Sequence, residues 1–253
     1  MFDYSLYFII TLGVSTLFGV IGLGSSLILI PFFTFVGIEF NLAKAMGVFI
    51  NGITTLSLTF QNIKNRLINY KEILPLVVVS SVFAFFGAYG SIYVEEVFAK
   101  ILFVFFIFFS LLLLFVGHVQ FRNDNYKNNL LSIVVFIALI AFIGGLIGVG
   151  GGAVYLPMFL YIGIKTKRSI AMTSALIPIV SFSAFFGYFS FVEVDWLILF
   201  DVSIASLLGA FFANRIMKYI KNDKHLKIFI SILLVSIAIY MVYAQILGDL
   251  YGK

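Results

Sequence analysis

The chain has 253 residues but no cysteine, only two histidines, one tryptophan and four prolines, and just 11% of it is charged. Without cysteine there is no disulfide, no thiolate metal site and no cysteine nucleophile. His118 and His225 fall in loops with no paired ligand spacing nearby, so no metal and no cofactor is expected. An H-E-x-x-H helix, paired intramembrane aspartates and a Walker-type phosphate loop are all missing, which argues against an enzyme and against direct use of ATP. The start, "MFDYSLYF", lacks a basic n-region, and no small-residue cleavage site follows it. Residues 5–36 therefore read as mature structure rather than a signal peptide.

What fills the chain instead is apolar: 62% hydrophobic residues, 32 of them phenylalanine. Several uncharged runs reach the roughly 20 residues that span a hydrocarbon core. The composition is that of an all-α polytopic membrane protein. Its hydrophobic segments run roughly over 4–37, 42–62, 73–94, 97–118, 130–163, 168–192, 195–214 and 226–248. Six have single-span lengths. Segments 4–37 and 130–163 would each make a continuous helix of about 50 Å, well beyond the core.

Charge placement addresses those two segments. The loops around Lys64, Arg66 and Lys71, around Arg122 and Lys127, around Lys165, Lys167 and Arg168, and from Arg215 through Lys218, Lys221 and Lys224 to Lys227 hold 13 of the 16 basic residues. The net charge of +5 thus reflects topology, not nucleic-acid binding. The positive-inside rule wants all four loops in the cytoplasm. That holds only if each long segment enters the membrane and returns to its own side, as a broken hairpin. Glu95, Glu96, Glu193 and Asp195, with both termini, then lie outside the cytoplasmic membrane.

Each long segment carries a glycine knot, "LFGVIGLGSSLILIP" at 17–31 and "FIGGLIGVGGGAVYLP" at 142–157. Glycine is costly inside helices and favoured where backbone must approach something closely. The knots match at a constant offset of 126, pairing Gly19 with Gly145, Gly22 with Gly148, Gly24 with Gly150, Pro31 with Pro157 and Gly37 with Gly163. "FFGAY" at 85–89 matches "LLGAF" at 207–211 with the offset reduced to 122. The expected architecture is one membrane domain of two repeats, 1–120 and 130–248, joined by a cytoplasmic linker at 119–129. A broken hairpin plus three spans makes each repeat cross an odd number of times, so the second is inverted, a recurring design of secondary transporters.

"GLGSSLILIP" with "AMGV", and "GVGGGAVYLP" with "AMTSA", resemble the TauE/SafE sulfite-exporter-like family of membrane transporters, over nearly the whole chain. The resemblance implies transport of a small anion, typically sulfur-containing, such as sulfite or an organosulfonate. A passive anion channel of similar build is the alternative. The first half departs from the family pattern, with Ser25 and Ser26 in place of glycines.

The chemistry of a broken helix suits an anion. Free N–H groups at a half-helix N-terminus carry partial positive charge, and glycines let an oxyanion reach them. Candidate substrate contacts are Gly22, Gly24, Ser25 and Ser26 in the first knot and Gly148, Gly150, Gly151 and Gly152 in the second. Asn51, Thr54, Thr55, Thr173 and Ser174 would complete the shell, with Pro31 and Pro157 as structural or gating positions. The competing role for the glycines is helix packing, which is the expectation for isolated ones such as Gly13 and Gly87, and for the polar residues it is interhelical bonding. Asp201, about one and a half turns after the interfacial Trp196, is a candidate for coupling to H⁺ or Na⁺. Lys44 and Lys100 stand near span ends, so no basic residue is expected deep in the membrane. The expected partners are the anion, a coupling ion and the bilayer.

Overall fold

The computed structural model describes residues 4–21, 24–64, 70–115, 130–217 and 223–246. All regular structure among them is helical. In chain order the helices are α1 (Tyr4–Ile21), α2 (Ser26–Phe35), α3 (Phe40–Lys64), α4 (Tyr70–Gly90), α5 (Glu96–Phe115), α6 (Leu130–Ile147), α7 (Gly152–Tyr161), α8 (Thr166–Phe189), α9 (Trp196–Met217) and α10 (Asp223–Tyr240). A 3₁₀ turn follows α4 at Ser91–Tyr93, and a π-helical stretch continues α10 over Met241–Ile246. Five helices are long and apolar enough to cross a membrane, with windows at Phe40–Phe60, Ile73–Tyr93, Glu96–Leu113, Thr166–Phe189 and Trp196–Ile216. The chain is an all-α polytopic membrane protein. His225, expected in a loop, falls in the first turn of α10.

Both long segments break at their glycines. Gly148, Gly150 and Gly151 have φ of 83°, 65° and 76°, and Gly24 has 88°. An L-residue pays about 1–2 kcal/mol for each such conformation, so only glycine continues the chain here. Gly22 and the 119–129 linker lie outside the described residues. The prolines do not make the breaks. Pro31 and Pro157 lie inside α2 and α7, five residues beyond the first residue of each. A proline there removes the N–H that would bond the carbonyl four residues back. In α7 that carbonyl belongs to Ala153, and the Ser110 hydroxyl of α5 donates to it instead.

The centre of the bundle is the pair α3 and α8. Asn51 meets Ser181, whereas Thr59 and Asn62, further along α3, meet Ser174, so the two run antiparallel. Ser183 donates to Ser81 and Gly187 lies on Phe85, which sets α4 parallel to α8. Thr54 meets Ser206 and Ser57 meets Asn214, so α9 runs parallel to α3. These directions gather the ends carrying Lys64, Lys71, Arg168 and Arg215 at one end of the bundle. Glu39, Glu96 and Asp195 collect at the other.

Glycines allow the closest helix contacts. A Cβ on Gly209 of α9 would come within 2.7 Å of the Leu12 carbonyl of α1, and one on Gly87 of α4 would run into the Phe142 carbonyl of α6. Matched glycines therefore do matched work, α9 seating α1 and α4 seating α6. Gly13 has nothing within 4 Å of its built Cβ, so the packing role expected for it is absent.

Candidate functional site

The two breaks meet around one side chain. A Cβ on Gly24 would collide with the Asn51 amide oxygen, and one on Gly150 would stand 3.0 Å from its nitrogen and 2.6 Å from the Ser181 hydroxyl. Asn51 is thus held between both breaks by α3. Its Nδ2 donates to Ser181 Oγ at 3.0 Å, while its buried Oδ1 has no hydrogen-bond partner among the described residues. An unused buried amide oxygen costs about 1–3 kcal/mol, which a bound ligand would recover. The breaks are also tied directly, because Ser26 Oγ donates to the Val149 carbonyl at 3.0 Å.

Beside Asn51 lies a buried cluster of hydroxyls. Thr54 Oγ1 stands 2.7 Å from Ser206 Oγ, 3.3 Å from Ser15 Oγ and 3.4 Å from Ser25 Oγ, and 2.9 Å from the Ile50 carbonyl. A hydroxyl has one proton to give, so Thr54 satisfies only one of these contacts as donor. The remaining hydroxyls rotate to suit, which makes the group an adaptable set of neutral donors. The serines that replace glycines in the first knot therefore contribute chemistry of their own.

Neither half-helix is capped by a side chain. Ser25 precedes α2 and Gly151 precedes α7, and neither position makes a side-chain capping bond. The positive ends of both helix dipoles thus point into the region around Asn51 without a protein anion to answer them.

Not every expected residue comes here. Thr55 bonds back to the Asn51 carbonyl at 2.6 Å, serving its own helix. Ser174 donates to the Ala171 carbonyl and accepts from Asn62 Nδ2 at 2.8 Å. Thr173, eight residues before Ser181, is buried with no partner for its hydroxyl among the described residues, about 12 Å away along α8. The structure separates this pair from the breaks because α8 runs antiparallel to α3. Gly148 packs under the stem of Lys44, Gly151 lies under the Tyr155 ring and Gly152 opens α7. Asp201 is half-buried on α9, about 140° around the helix from Ser206.

Ser181, Ser15, Ser206 and Lys44 take part here without having been candidates in the sequence. Ser181 is detectable as the offset-126 mate of Thr55, whereas Ser15 and Ser206 are lone serines on apolar helices and send no signal. Lys44 is expected near a span end. Its position holds, yet it is 1% exposed and reaches the second break.

A bundle of apolar helices, with two half-helices meeting at a buried polar point, defines the class as a polytopic membrane transporter. The sulfite exporter TauE/SafE family model matches residues 7–241, so the chain belongs to that family. It is also similar to a probable membrane transporter protein of Methanocaldococcus jannaschii, 23% identical over 243 residues, covering 87% of this chain and 88% of the relative. No solved structure matches it.

Proposed function

We propose that the chain is a secondary transporter that carries a small, sulfur-containing anion such as sulfite or an organosulfonate across the cytoplasmic membrane by alternating access. The observation that carries this reading is Asn51 between the two breaks, with an amide oxygen unanswered among the described residues, a cluster of hydroxyls and two uncapped half-helices around it. Neutral donors and helix dipoles hold an oxyanion without a fixed charge at mid-membrane. The repeats are read as 1–120 and 130–248, inverted, which the antiparallel run of the mates α3 and α8 supports. The basic ends are read as cytoplasmic and both termini as outside.

Alternation, rather than a passive pore, is favoured by a difference between the halves. Residues Gly152–Leu160 of α7 are all buried, and Ser110 of α5 bonds its Ala153 carbonyl. The mate α2 instead faces α10 across a crevice of about 370 Å³, lined by Ile28, Pro31, Phe32 and Phe35 on one side and Ser236, Ile237 and Tyr240 on the other. The two mates thus pack unequally, as expected of repeats that rock against each other.

The test is uptake of labelled sulfite, methanesulfonate and sulfate into proteoliposomes, with and without a pH or Na⁺ gradient. Saturable, gradient-dependent uptake of one of them is expected. Unsaturable currents without coupling would make the protein a channel.

A further inference from the structure

The mechanism above makes no use of the most unusual charge in the molecule. Lys44 lies within the membrane window of α3 and is 1% exposed. A buried ammonium is tolerated when a carboxylate compensates it. The two carboxylates that act on it, Glu39 and Glu96, make their direct contacts elsewhere. Glu39 accepts the backbone N–H groups of Asn41 and Leu42 at 3.0 and 2.8 Å, and Glu96 pairs with Lys100 at 2.7 Å. Among the described residues Lys44 makes no ion pair. Its ammonium donates to the Ser91 hydroxyl and stands 4.8 Å from the Phe40 ring centroid and 5.3 Å from that of Tyr188. Aromatic faces and a hydroxyl hold the cation in place, and Glu39 and Glu96 attract it without contacting it.

The position of this charge is specific. The Lys44 stem lies on Gly148, whose φ of 83° begins the second break, and a Cβ there would come within 2.7 Å of it. Asn51 is seven residues on, two turns along the same face of α3, and touches Gly150 of the same break. One face of α3 therefore presents an ammonium and then an amide to the break, about 10 Å apart. The Tyr188 hydroxyl bonds the Gly145 and Leu146 carbonyls at the end of α6, so the same residues that confine Lys44 also anchor the break.

We propose that Lys44 is an anion-binding residue, a charged station on the Glu39–Glu96 end of the bundle that the substrate meets before it reaches Asn51. This rests on the anion-transport reading and adds to it a fixed charge. The ligand class is a small oxyanion, whose oxygens replace Ser91 as acceptors of the ammonium protons. The competing role is purely structural, a cation that compensates the negative end of the α6 dipole.

The experiment uses the full chain in proteoliposomes with labelled sulfite and methanesulfonate, comparing Lys44→Gln, Lys44→Arg and Lys100→Gln. Lys44→Gln is expected to raise KM at least about tenfold, the lower end of what a charge-assisted hydrogen bond supplies, and more for the doubly charged anion. Lys44→Arg is expected to restore most of the affinity, and Lys100→Gln, which removes an ion-paired cation, to leave it within about threefold. If Lys44→Gln does not fold, Lys44→Met replaces it as an apolar side chain of similar length. An unchanged KM with a lowered melting temperature would make Lys44 a structural charge and overturn this site alone. A wild-type protein that carries neither anion, and is not thermally stabilised by either, would overturn the transport reading and this site with it.

Discussion

Gly24 and Gly150 hold left-handed backbone, φ 88° and 65°, against the same amide of Asn51. Alanine at Gly150 would add about 1–2 kcal/mol of backbone strain and bring a methyl group 2.6 Å from Ser181 Oγ. The expected result for Gly150→Ala is a melting temperature lowered by several degrees, with transport lost in the protein that remains folded. Gly13→Ala provides the contrast, since nothing lies within 4 Å and alanine favours a helix by up to about 1 kcal/mol. Its melting temperature in detergent should be unchanged or higher, and a marked loss would show that α1 packs more closely at Gly13 than described. Asn51→Leu tests the bridge directly, because it keeps the volume and removes the amide. Folded protein with uptake reduced at least about tenfold is expected, whereas normal uptake would take Asn51 out of the site.

At the scale of the element, the breaks were legible and the contents of the site only partly so. A 34-residue apolar run with a glycine triplet conflicts with both membrane thickness and helix propensity, and α6 and α7 part at those glycines. Burial of Lys44 was not legible. Four residues into α3, a lysine reads as one that snorkels to the interface. Only the tertiary approach of Gly148, Ser91 and Tyr188 closes over it. Thr173 and Ser174 misled for a related reason, since sequence repeats match positions but do not tell which turn of α8 faces the breaks. The unequal packing of α2 and α7 was equally invisible, because the mates have similar sequences and differ in what packs against them. It leads to a prediction: α2 closes on α10 during the cycle. With no native cysteine, a disulfide between Phe32→Cys and Ile237→Cys, which line the crevice from α2 and α10, should form under oxidation once the helices close and stop uptake. Reductant should restore it. Crosslinked protein that transports normally would show that the crevice is a static feature of the lipid-facing surface.

For the whole molecule the question is which way the charges face. The helix directions put the ends bearing Lys64, Lys71, Arg168 and Arg215 together and set Glu39, Glu96 and Asp195 at the opposite end, a segregation that a single crossing by segment 130–163 would have scrambled. The proposed inverted pair would also account for similar half-sequences acquiring different chemistry. The break of the first half is lined by Ser15, Ser25 and Thr54, whereas at offset 126 the second has Ala141, Gly151 and Val180 and takes its polar groups from Lys44 and Ser181. A substrate passing between them would move from a charged station to a neutral one, and its release would not require breaking an ion pair at mid-membrane. All of this depends on the hairpins returning to their own side. Single cysteines placed at Lys127 and at Lys167 are expected to react with a membrane-impermeant maleimide only after the cytoplasmic face is opened, and one at Glu193 to react in intact cells. Labelling of Lys127→Cys and Lys167→Cys from opposite faces would mean that segment 130–163 crosses once, and the inverted repeat would fall with it.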